Sequence, residues 1–353
     1  MTLAIRGERF PELDSLRGLA AVVVVLHHFK LMFYRHALTK GWLSLVAYPF
    51  TAGHEAVTLF FVLSGFVLSL PYLRNKEQPY AVFMCRRVLR IYGPYLAALL
   101  LSVVGCTVWH NNTGVGTWSN PVTAASLIQP IAFIGNYDFF RYNTAFWSLV
   151  YEMRISLIFP VLALIAMRIS ARWALLLVVC CTYNVRTVPI LTLECVGIFI
   201  CGILLAKNIA TLDATYRGLA KWQRVLCAAA AFSLYNEGHF LTRTALWHLG
   251  YLPVSMGAVG LIVIALSSNT VSRCLQHPLP AFLGKISYST YLVHGTVLHA
   301  LARGVGGRSH PILFMIYVPT ALLLSWGFYA AVEAPFMRMS HAVKNKERET
   351  VPT

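Results

Sequence analysis

Long apolar runs recur along the chain and are separated only by short polar segments. A membrane-spanning helix needs ~20 mostly apolar residues, and runs of this kind follow one another from residue 16 to residue 337. The pattern predicts an all-α, polytopic integral membrane protein with about ten transmembrane helices. We place the spans near 16–36, 55–73, 87–109, 146–167, 173–189, 190–207, 222–239, 247–267, 283–302 and 311–333.

One further apolar segment does not fit a span. The segment 124–135 has only a dozen residues and carries Pro130 near its middle. A run this short is too brief to cross a bilayer and is typical of a surface or re-entrant helix. Counting it as a span would also reverse the orientation of every later helix.

The basic residues support this count. With a cytoplasmic N-terminus, most of the 29 lysines and arginines fall in cytoplasmic segments, as the positive-inside rule requires. We therefore expect both termini in the cytoplasm and a single membrane domain over 1–353, membrane-embedded from about 10 to 337, with a cytoplasmic tail at 338–353. We expect the first helix to be retained, because it runs into His27 and His28 without the small-residue cleavage site of a signal peptide.

The composition excludes a soluble protein. Hydrophobic residues make up 58% of the chain and charged residues 12%, about half the ~25% charged fraction of soluble domains. The net charge of +16 does not indicate nucleic acid, because the basic residues flank apolar runs, where membrane lipids are the expected contact. The eight cysteines show no CxxC or Cys/His zinc spacing, and no metal site is expected.

Three polar residues fall in register on the first helix. Arg17 and His28 are eleven residues apart, which places them on nearly the same face, about 16 Å apart along the axis. Asp14 lies near that face. Ionisable residues inside a membrane helix mark function by default. The alternative is that Arg17 anchors the topology and that packing satisfies His28.

The third helix opens with three arginines in five residues, at Arg86, Arg87 and Arg90. Arg87 and Arg90 are i and i+3 and are predicted to share a face. Guanidinium groups bind phosphate through paired hydrogen bonds, so the cluster could hold a polyanion. Anchoring to lipid head groups explains the same spacing equally well.

Two further helices carry polar pairs. Ser148 and Glu152 are i and i+4 on the fourth helix, and Tyr291 and His294 are i and i+3 on the ninth, so each pair shares a face. Glu152 could accept a proton from a hydroxyl, or could pair with Arg154 or with another helix.

Glu333 lies near the end of the tenth predicted span. We expect the stretch from Glu333 to Pro335 to end that helix, because proline is disfavoured inside helices. Glu333 could be a carboxylate of a ligand site or one partner of an interhelical pair.

Six motifs, in this order along the chain, resemble those of the acyltransferase 3 family of membrane O-acyltransferases. The resemblance runs from Leu13 to Pro335, nearly the whole chain. The motifs are LDSLRGLAAVVVVLHHF at 13–29, FFVLSGFVLS at 60–69, RRVLRIYGPY at 86–95, WSLVYEMRISLIFP at 147–160, ISYSTYLVH at 286–294 and EAP at 333–335.

Members of that family have ten or so membrane helices and move an acyl group, usually acetyl from cytoplasmic acetyl-CoA, onto hydroxyls of extracytoplasmic or membrane-associated acceptors. The resemblance implies an O-acetyltransferase of a surface or exported polysaccharide or its lipid-linked precursor. Acetyl-CoA is then a co-substrate, and no tightly bound cofactor is expected. The expected location is the bacterial inner membrane, and the expected partners are the glycan acceptor and glycan-assembly proteins. The alternative is a transporter, flippase or assembly subunit for surface glycans.

The resemblance places the family's essential histidine on His28 and its arginine motif on Arg87 and Arg90. We expect His28 to be a general base or transient acyl acceptor, because imidazole is basic near neutral pH, with Glu152 and Ser148 placing or activating the acceptor hydroxyl. The residues expected to hold CoA are Arg17, Arg86, Arg87 and Arg90. The residues expected to bind substrate are Asp14, Trp147, Tyr291, His294 and Glu333. Some members append a soluble esterase-like domain after the tenth helix; the sequence ends 20 residues after Glu333, so we expect such a domain to be a partner or absent.

Overall fold

The structure is a computed structural model of the 353-residue chain. It describes residues 10–34, 47–109, 118, 120–133, 141–183, 191–237, 251–304 and 310–350. Every regular element in these ranges is helical, which confirms the predicted all-α class.

The helices alternate with short turns along the chain. A 3₁₀ turn at Pro49–Thr51 precedes the second helix, and two π-helical turns, at Val88–Tyr92 and Tyr329–Glu333, join helices without a break. In chain order the helices are α1 (Pro11–Phe33), α2 (Gly53–Leu73), α3 (Tyr80–Arg87), α4 (Gly93–Val108), α5 (Ala124–Ala132), α6 (Phe146–Arg168), α7 (Ala171–Thr182), α8 (Leu191–Gly218), α9 (Lys221–Tyr235), α10 (Leu252–Ser267), α11 (Asn269–Leu275), α12 (Pro278–Lys285), α13 (Ser287–Gly304), α14 (His310–Phe328) and α15 (Ala334–Thr350).

Six helical stretches among the described residues are long and apolar enough to cross a membrane. They correspond to the first, second, third, fourth, sixth and tenth predicted spans. A seventh is added if α10 and α11, which are bent by 92° at the break between them, are counted as one. The six are Pro11–Phe33, Gly53–Leu73, Tyr80–Val108, Phe146–Arg168, Thr192–Gly218 and His310–Val343.

The other predicted spans correspond to shorter helices. Helices α7 and α9 have 12 and 15 residues, and the ninth span is divided at Ile286 between α12 and α13. Parts of the predicted spans 173–189, 222–239 and 247–267 lie outside the described residues. The count of ten and the side of the membrane on which the termini lie stay predictions.

The segment 124–135 forms the short helix α5, as expected. Its nine residues extend ~14 Å at 1.5 Å per residue, about half of a ~30 Å hydrocarbon core. Thr123 caps its start by accepting from the Ser126 N–H at 3.2 Å, and Phe133 ends it in the left-handed conformation at φ 54°.

The expected end of the tenth helix at Glu333–Pro335 is wrong. The chain continues through the π-helical turn Tyr329–Glu333 directly into α15. Pro335 is the second residue of α15, where the lack of an N–H costs least, and the wider π turn before it gives the proline ring room against the preceding carbonyls.

The structure divides into two compact units. The first comprises Met1–Val24, Lys40–Gln78 and Leu157–Ser287, and the second comprises Val25–Thr39, Pro79–Ser156 and Tyr288–Thr353. Helices α1 and α6 each run from one unit into the other. The single domain expected over the whole chain stays a prediction.

In the first unit, α2 and α8 meet at two glycines, Gly65 and Gly202, which we call the glycine seam. A methyl carbon added at Gly65 would lie 2.3 Å from the carbonyl oxygen of Phe199, and one added at Gly202 would lie 2.2 Å from that of Val62. Both distances are far below van der Waals contact, so the helices approach this closely only because neither residue has a side chain. Small residues commonly permit such contacts between membrane helices, where dispersion between packed atoms drives association.

The first half of α1 is fixed against α11 and α12 in the same unit. The Ser15 hydroxyl donates to the Leu275 carbonyl at 2.6 Å. The Glu12 carboxylate accepts from Ser272 at 2.7 Å and from Gln276 at 2.9 Å. These bonds satisfy a buried acid locally, which offsets much of the cost of removing it from water.

In the second unit, the end of α1 packs against α13 and α14. The apolar cluster there contains Val25, Phe29, Leu298 and Tyr317, and the rings of Phe29 and Tyr317 stack with centroids 5.6 Å apart. Since Phe29 follows His28 directly, this packing fixes the position of His28 on its helix.

Candidate active site

Two histidines form a hydrogen-bonded pair inside the second unit. His28 Nδ1, on α1, lies 3.2 Å from His294 Nε2, on α13, and the ring centroids are 4.9 Å apart. His294 is completely buried. The His27 ring lies edge-on to His28 with centroids 5.3 Å apart. The predicted catalytic histidine thus contacts a histidine that the sequence assigned to substrate binding.

A serine and a tyrosine extend this pair toward α6. The Ser148 hydroxyl lies 2.6 Å from the Tyr291 hydroxyl, and either can donate to the other; the Ser148 hydroxyl also lies 3.3 Å from the Ala145 carbonyl oxygen. The Tyr291 ring lies 5.9 Å from the His294 ring between centroids. Hydrogen bonds and ring contacts thus join four buried or half-buried residues in a row. We call this row the polar chain; it consists of Ser148, Tyr291, His294 and His28.

Trp147, the substrate-binding residue predicted on α6, directly precedes Ser148 of the polar chain. It is half-buried, and its ring meets the Tyr151 ring with centroids 6.1 Å apart. Its role in substrate binding stays a prediction.

Arg87 and Glu152 form an ion pair between α3 and α6. Arg87 Nη2 donates to Glu152 Oε1 at 2.9 Å, and Arg87 Nε donates to the Ser156 hydroxyl at 3.1 Å. Their side chains are only 11% and 17% exposed. Of the partners expected for Glu152, the structure shows one on another helix, while the Arg154 guanidinium lies over the Tyr151 ring. The pair cancels two charges that would each be costly alone in an apolar surrounding.

The other two arginines of this motif have different surroundings. The π-helical turn begins at Val88, between Arg87 and Arg90, so the i, i+3 rule of a regular α-helix does not hold there. Arg87 is buried and Arg90 is exposed, while both act electrostatically on Tyr288, and the expectation that they share a face stays a prediction. Arg86 is half-buried.

Tyr288 lies at the centre of these charged groups. Its hydroxyl donates to the Ile91 carbonyl in the π turn at 2.8 Å. Glu152, Glu333, Arg87 and Arg90 all lie close enough to the Tyr288 hydroxyl to act on it electrostatically. The arginine motif, the fourth-helix glutamate and Glu333 therefore belong to one neighbourhood of the second unit.

Glu333 supports the beginning of α13. Its Oε2 accepts from the Ser289 N–H at 3.1 Å and from the Ser289 hydroxyl at 2.5 Å. Ser289 is the third residue of α13, where backbone N–H groups have no partner within the helix and a negative charge is favoured by the helix dipole. Of the two possibilities raised by the sequence, the structure shows the interhelical contact.

Asp14 and Arg17 lie in the first unit and contact each other. Arg17 Nη1 lies 3.3 Å from Asp14 Oδ1, one turn earlier on α1. The spacing predicted that these residues share a face, and the ion pair confirms it. Their assignment to substrate and to CoA stays a prediction.

A residue that no sequence motif identified fixes α13 beside His294. Asn143 is buried, and its amide nitrogen donates to the Leu292 carbonyl at 2.9 Å and to Thr296 Oγ1 at 3.2 Å. A methyl carbon on Gly295 would lie 2.5 Å from Asn143 Oδ1. The one available signal was a polar amide just before an apolar run, which in a membrane protein needs partners.

Comparisons of the sequence with known proteins identify its family. A family model described as an acyltransferase domain matches residues 10–330. Acyltransferase MdmB of Streptomyces mycarofaciens is 24% identical over 379 residues, which cover 95% of this chain and 93% of that protein.

Two proteins of Staphylococcus aureus are also similar. SAR0937 of strain MRSA252 and SACOL0978 of strain COL, both provisionally named as O-acetyltransferases, are each 20% identical over 382 residues. The match covers 97% of this chain but only 59% of each staphylococcal protein. Since the family model extends over all but the two ends of the sequence, the chain belongs to the acyltransferase 3 family and is a multi-pass membrane acyltransferase.

Proposed function

We propose that this protein is an O-acetyltransferase of a bacterial inner membrane. It transfers an acetyl group from cytoplasmic acetyl-CoA to a hydroxyl of a surface or exported polysaccharide, or of its lipid-linked precursor. The family and the names of the relatives support the reaction class. The observation that carries the proposal is the hydrogen-bonded pair of His28 and His294 within apolar helices.

Acyl transfer to a hydroxyl requires a base at the moment of attack. His28 removes the proton as the hydroxyl oxygen attacks the thioester carbonyl, a new ester C–O bond forms, and the C–S bond breaks. The imidazolium then returns the proton to the departing thiolate, which leaves as CoA thiol. Imidazole suits both steps, because it accepts and donates protons near neutral pH.

The acceptor hydroxyl is placed by Ser148 and Tyr291. These two hydroxyls are hydrogen-bonded to each other and lie on the side of His294 that faces α6. A sugar hydroxyl can replace or extend such a bond, because a serine or tyrosine oxygen both donates and accepts. Trp147 offers an aromatic surface to the same acceptor.

Glu152 acts through its contact with Arg87 and not as a second base. Its carboxylate accepts a hydrogen bond from the guanidinium at 2.9 Å. The ion pair holds α6, and with it Ser148, in register with α3. Glu152 is therefore a positioning residue for the acceptor.

The phosphates of CoA bind at the arginine motif. Arg90 is exposed and Arg86 half-buried, so both can present guanidinium groups to a phosphate, and Arg87 holds the motif in place through its bonds to Glu152 and Ser156. Guanidinium forks match phosphate oxygens better than a lysine ammonium does. Arg17 and Asp14, and the substrate role of Glu333, stay predictions from the sequence.

Mass spectrometry of surface glycans tests the function. Cells with and without the protein are compared for the O-acetyl content and for the amount of exported glycan, with His28→Ala as a matched variant. We expect both the deletion and the variant to lose glycan O-acetylation while export continues. A transporter, flippase or assembly subunit would instead change export and leave acetylation of the remaining glycan intact, which would contradict the proposal.

A further inference from the structure

The tautomer of His294 follows from its backbone contact. His294 Nδ1 lies 3.1 Å from the carbonyl oxygen of Thr290. A carbonyl oxygen can only accept a hydrogen bond, so Nδ1 must carry the ring hydrogen. A neutral imidazole has one N–H, and the other nitrogen, Nε2, therefore carries the lone pair.

Burial disfavours a positive charge on His294, and among the described residues no carboxylate contacts its ring. The side chain is completely buried, and within the described residues its ring nitrogens contact the Thr290 carbonyl and His28. A buried charge without an opposite partner is costly. The ring nitrogen that faces His28 is thus an acceptor.

The tautomer of His28 follows in turn. His28 Nδ1 lies 3.2 Å from the His294 lone pair, so Nδ1 is the donor in this hydrogen bond. In neutral His28 the lone pair then lies on Nε2. One backbone carbonyl on α13 therefore decides, through two rings, which nitrogen of His28 is basic.

We propose that His294 is a positioning residue that holds His28 as the Nδ1–H tautomer, so that Nε2 of His28 takes the proton from the acceptor hydroxyl. The proposal rests on the proposed function, in which His28 is the base. When Nε2 gains the proton, the Nδ1–H continues to donate to His294, which stabilises the imidazolium without passing a proton on. A third group orients the base in the same way in other acyl-transfer sites, where it is usually a carboxylate.

The second unit fixes His294 well enough for this task. Asn143 holds the turn of α13 around it by donating to the Leu292 carbonyl and to Thr296. The Tyr317 hydroxyl donates to the His294 carbonyl at 3.4 Å. The Tyr317 ring in turn stacks on Phe29, next to His28. Both imidazoles are held by residues that belong to the same packed cluster.

The first arm of the test reads the tautomer directly. The full chain is labelled with ¹⁵N in its histidine rings and placed in lipid nanodiscs, and couplings from nitrogen to the carbon-bound ring hydrogens identify the protonated nitrogen. The chain has 12 histidines, so the His28 signals are assigned by their loss in His28→Gln. We expect the hydrogen on Nδ1 of His28 in the wild type and a mixture of tautomers in His294→Leu. A hydrogen on Nε2 of His28 in the wild type overturns the proposal, whatever the activity.

The second arm measures turnover, with acetyl-CoA as donor and glycans from the deletion strain as acceptor. We expect His294→Leu to lower kcat by ~10²- to 10⁴-fold, the range that general base catalysis contributes, with KM for acetyl-CoA unchanged. His294→Gln should recover much of the loss, because its amide oxygen can accept from His28 Nδ1. Equal losses in the two variants would indicate a role in packing alone and would also overturn the proposal.

The matched control is His299→Leu. His299 is buried on the same helix, and within the part of the chain that the structure describes its Nε2 has no hydrogen-bond partner, so an apolar residue of similar size should be tolerated. We expect it to retain activity and the wild-type tautomer. The two proposals can fail separately. If His28 has the proposed tautomer but His28→Ala keeps its activity, His28 is not the base of the proposed function, while the hydrogen-bond assignment still holds.

Discussion

In the glycine seam of the first unit, two helices meet through main-chain atoms, whereas in the polar chain of the second unit they meet through hydrogen-bonded side chains. Gly65 and Gly202 contribute by having no side chain, and any added atom would collide with a carbonyl. Ser148, Tyr291, His294 and His28 contribute specific donors and acceptors within 2.6 to 3.2 Å where they are hydrogen-bonded. Helix contact at the glycine seam therefore depends on the volume of the side chains, and contact in the polar chain depends on matched hydrogen-bond donors and acceptors.

This difference predicts that the two regions fail in different ways. A volume change in the seam should lower the stability of the protein and reduce activity only through the amount that remains folded. A chemical change in the polar chain should lower the activity of protein that is fully folded. Measurements of both quantities on the same variants separate the two.

The largest effect is expected for His28→Ala. Loss of a general base typically costs ~10²–10⁴ in rate, and alanine leaves no other proton acceptor at that position. Acetyl transfer should fall by at least about 100-fold per folded molecule, while thermal unfolding in detergent changes little. His27→Ala is the control and should lose much less; the reverse ranking would show that the other imidazole is the base.

A smaller effect, on stability alone, is expected for Gly202→Ala. The new methyl group would lie 2.2 Å from the Val62 carbonyl oxygen, so α2 and α8 must separate. Overpacking costs about 1–3 kcal/mol, partly offset by about 1 kcal/mol of helix propensity, and the unfolding temperature should fall. Gly218→Ala, at the end of the same helix and with nothing within 4 Å, should not lower it. Equal unfolding temperatures for the two variants would contradict the importance of the seam.

The smallest effect on each quantity is expected for Arg87→Lys, a substitution that should lower both substrate binding and stability, each only modestly. Lysine keeps the charge but cannot bond Glu152 and Ser156 together as the guanidinium does. We expect acetyl-CoA affinity to fall by about tenfold, or ~1.4 kcal/mol, with a modest loss of stability, measured by equilibrium binding and thermal unfolding.

Arg273→Lys, an exposed change on α11, controls for lysine in general. Normal acetyl-CoA affinity in Arg87→Lys would remove Arg87 from the donor site and favour the alternative, an anchor to lipid head groups.

The sequence predicted features that depend on local spacing. Runs of apolar residues located α1, α2, α6 and α8, because hydropathy alone identifies a helix that must satisfy its own backbone in lipid. The i, i+3 spacing of Tyr291 and His294 correctly placed their rings together.

Contacts between helices could not be predicted in this way. His28 and His294 are 266 residues apart, and Arg87 and Glu152 are 65 apart; which helices meet depends on packing that no periodicity records. The π turn at Val88 was missed for a related reason, because i to i+5 bonding has no simple residue signature.

The pairing of two neutral histidines also bears on how the protein is made. Residue 294 is synthesised 266 residues after residue 28, which at ~5–20 residues per second takes roughly 13 to 53 s. During this interval α1 is in the membrane before its partner helix exists. A carboxylate at the helix centre would cost ~2.5–3.5 kcal/mol on insertion. An uncharged imidazole avoids the cost of inserting a charge, and its orientation is fixed later, when α13 packs against α1.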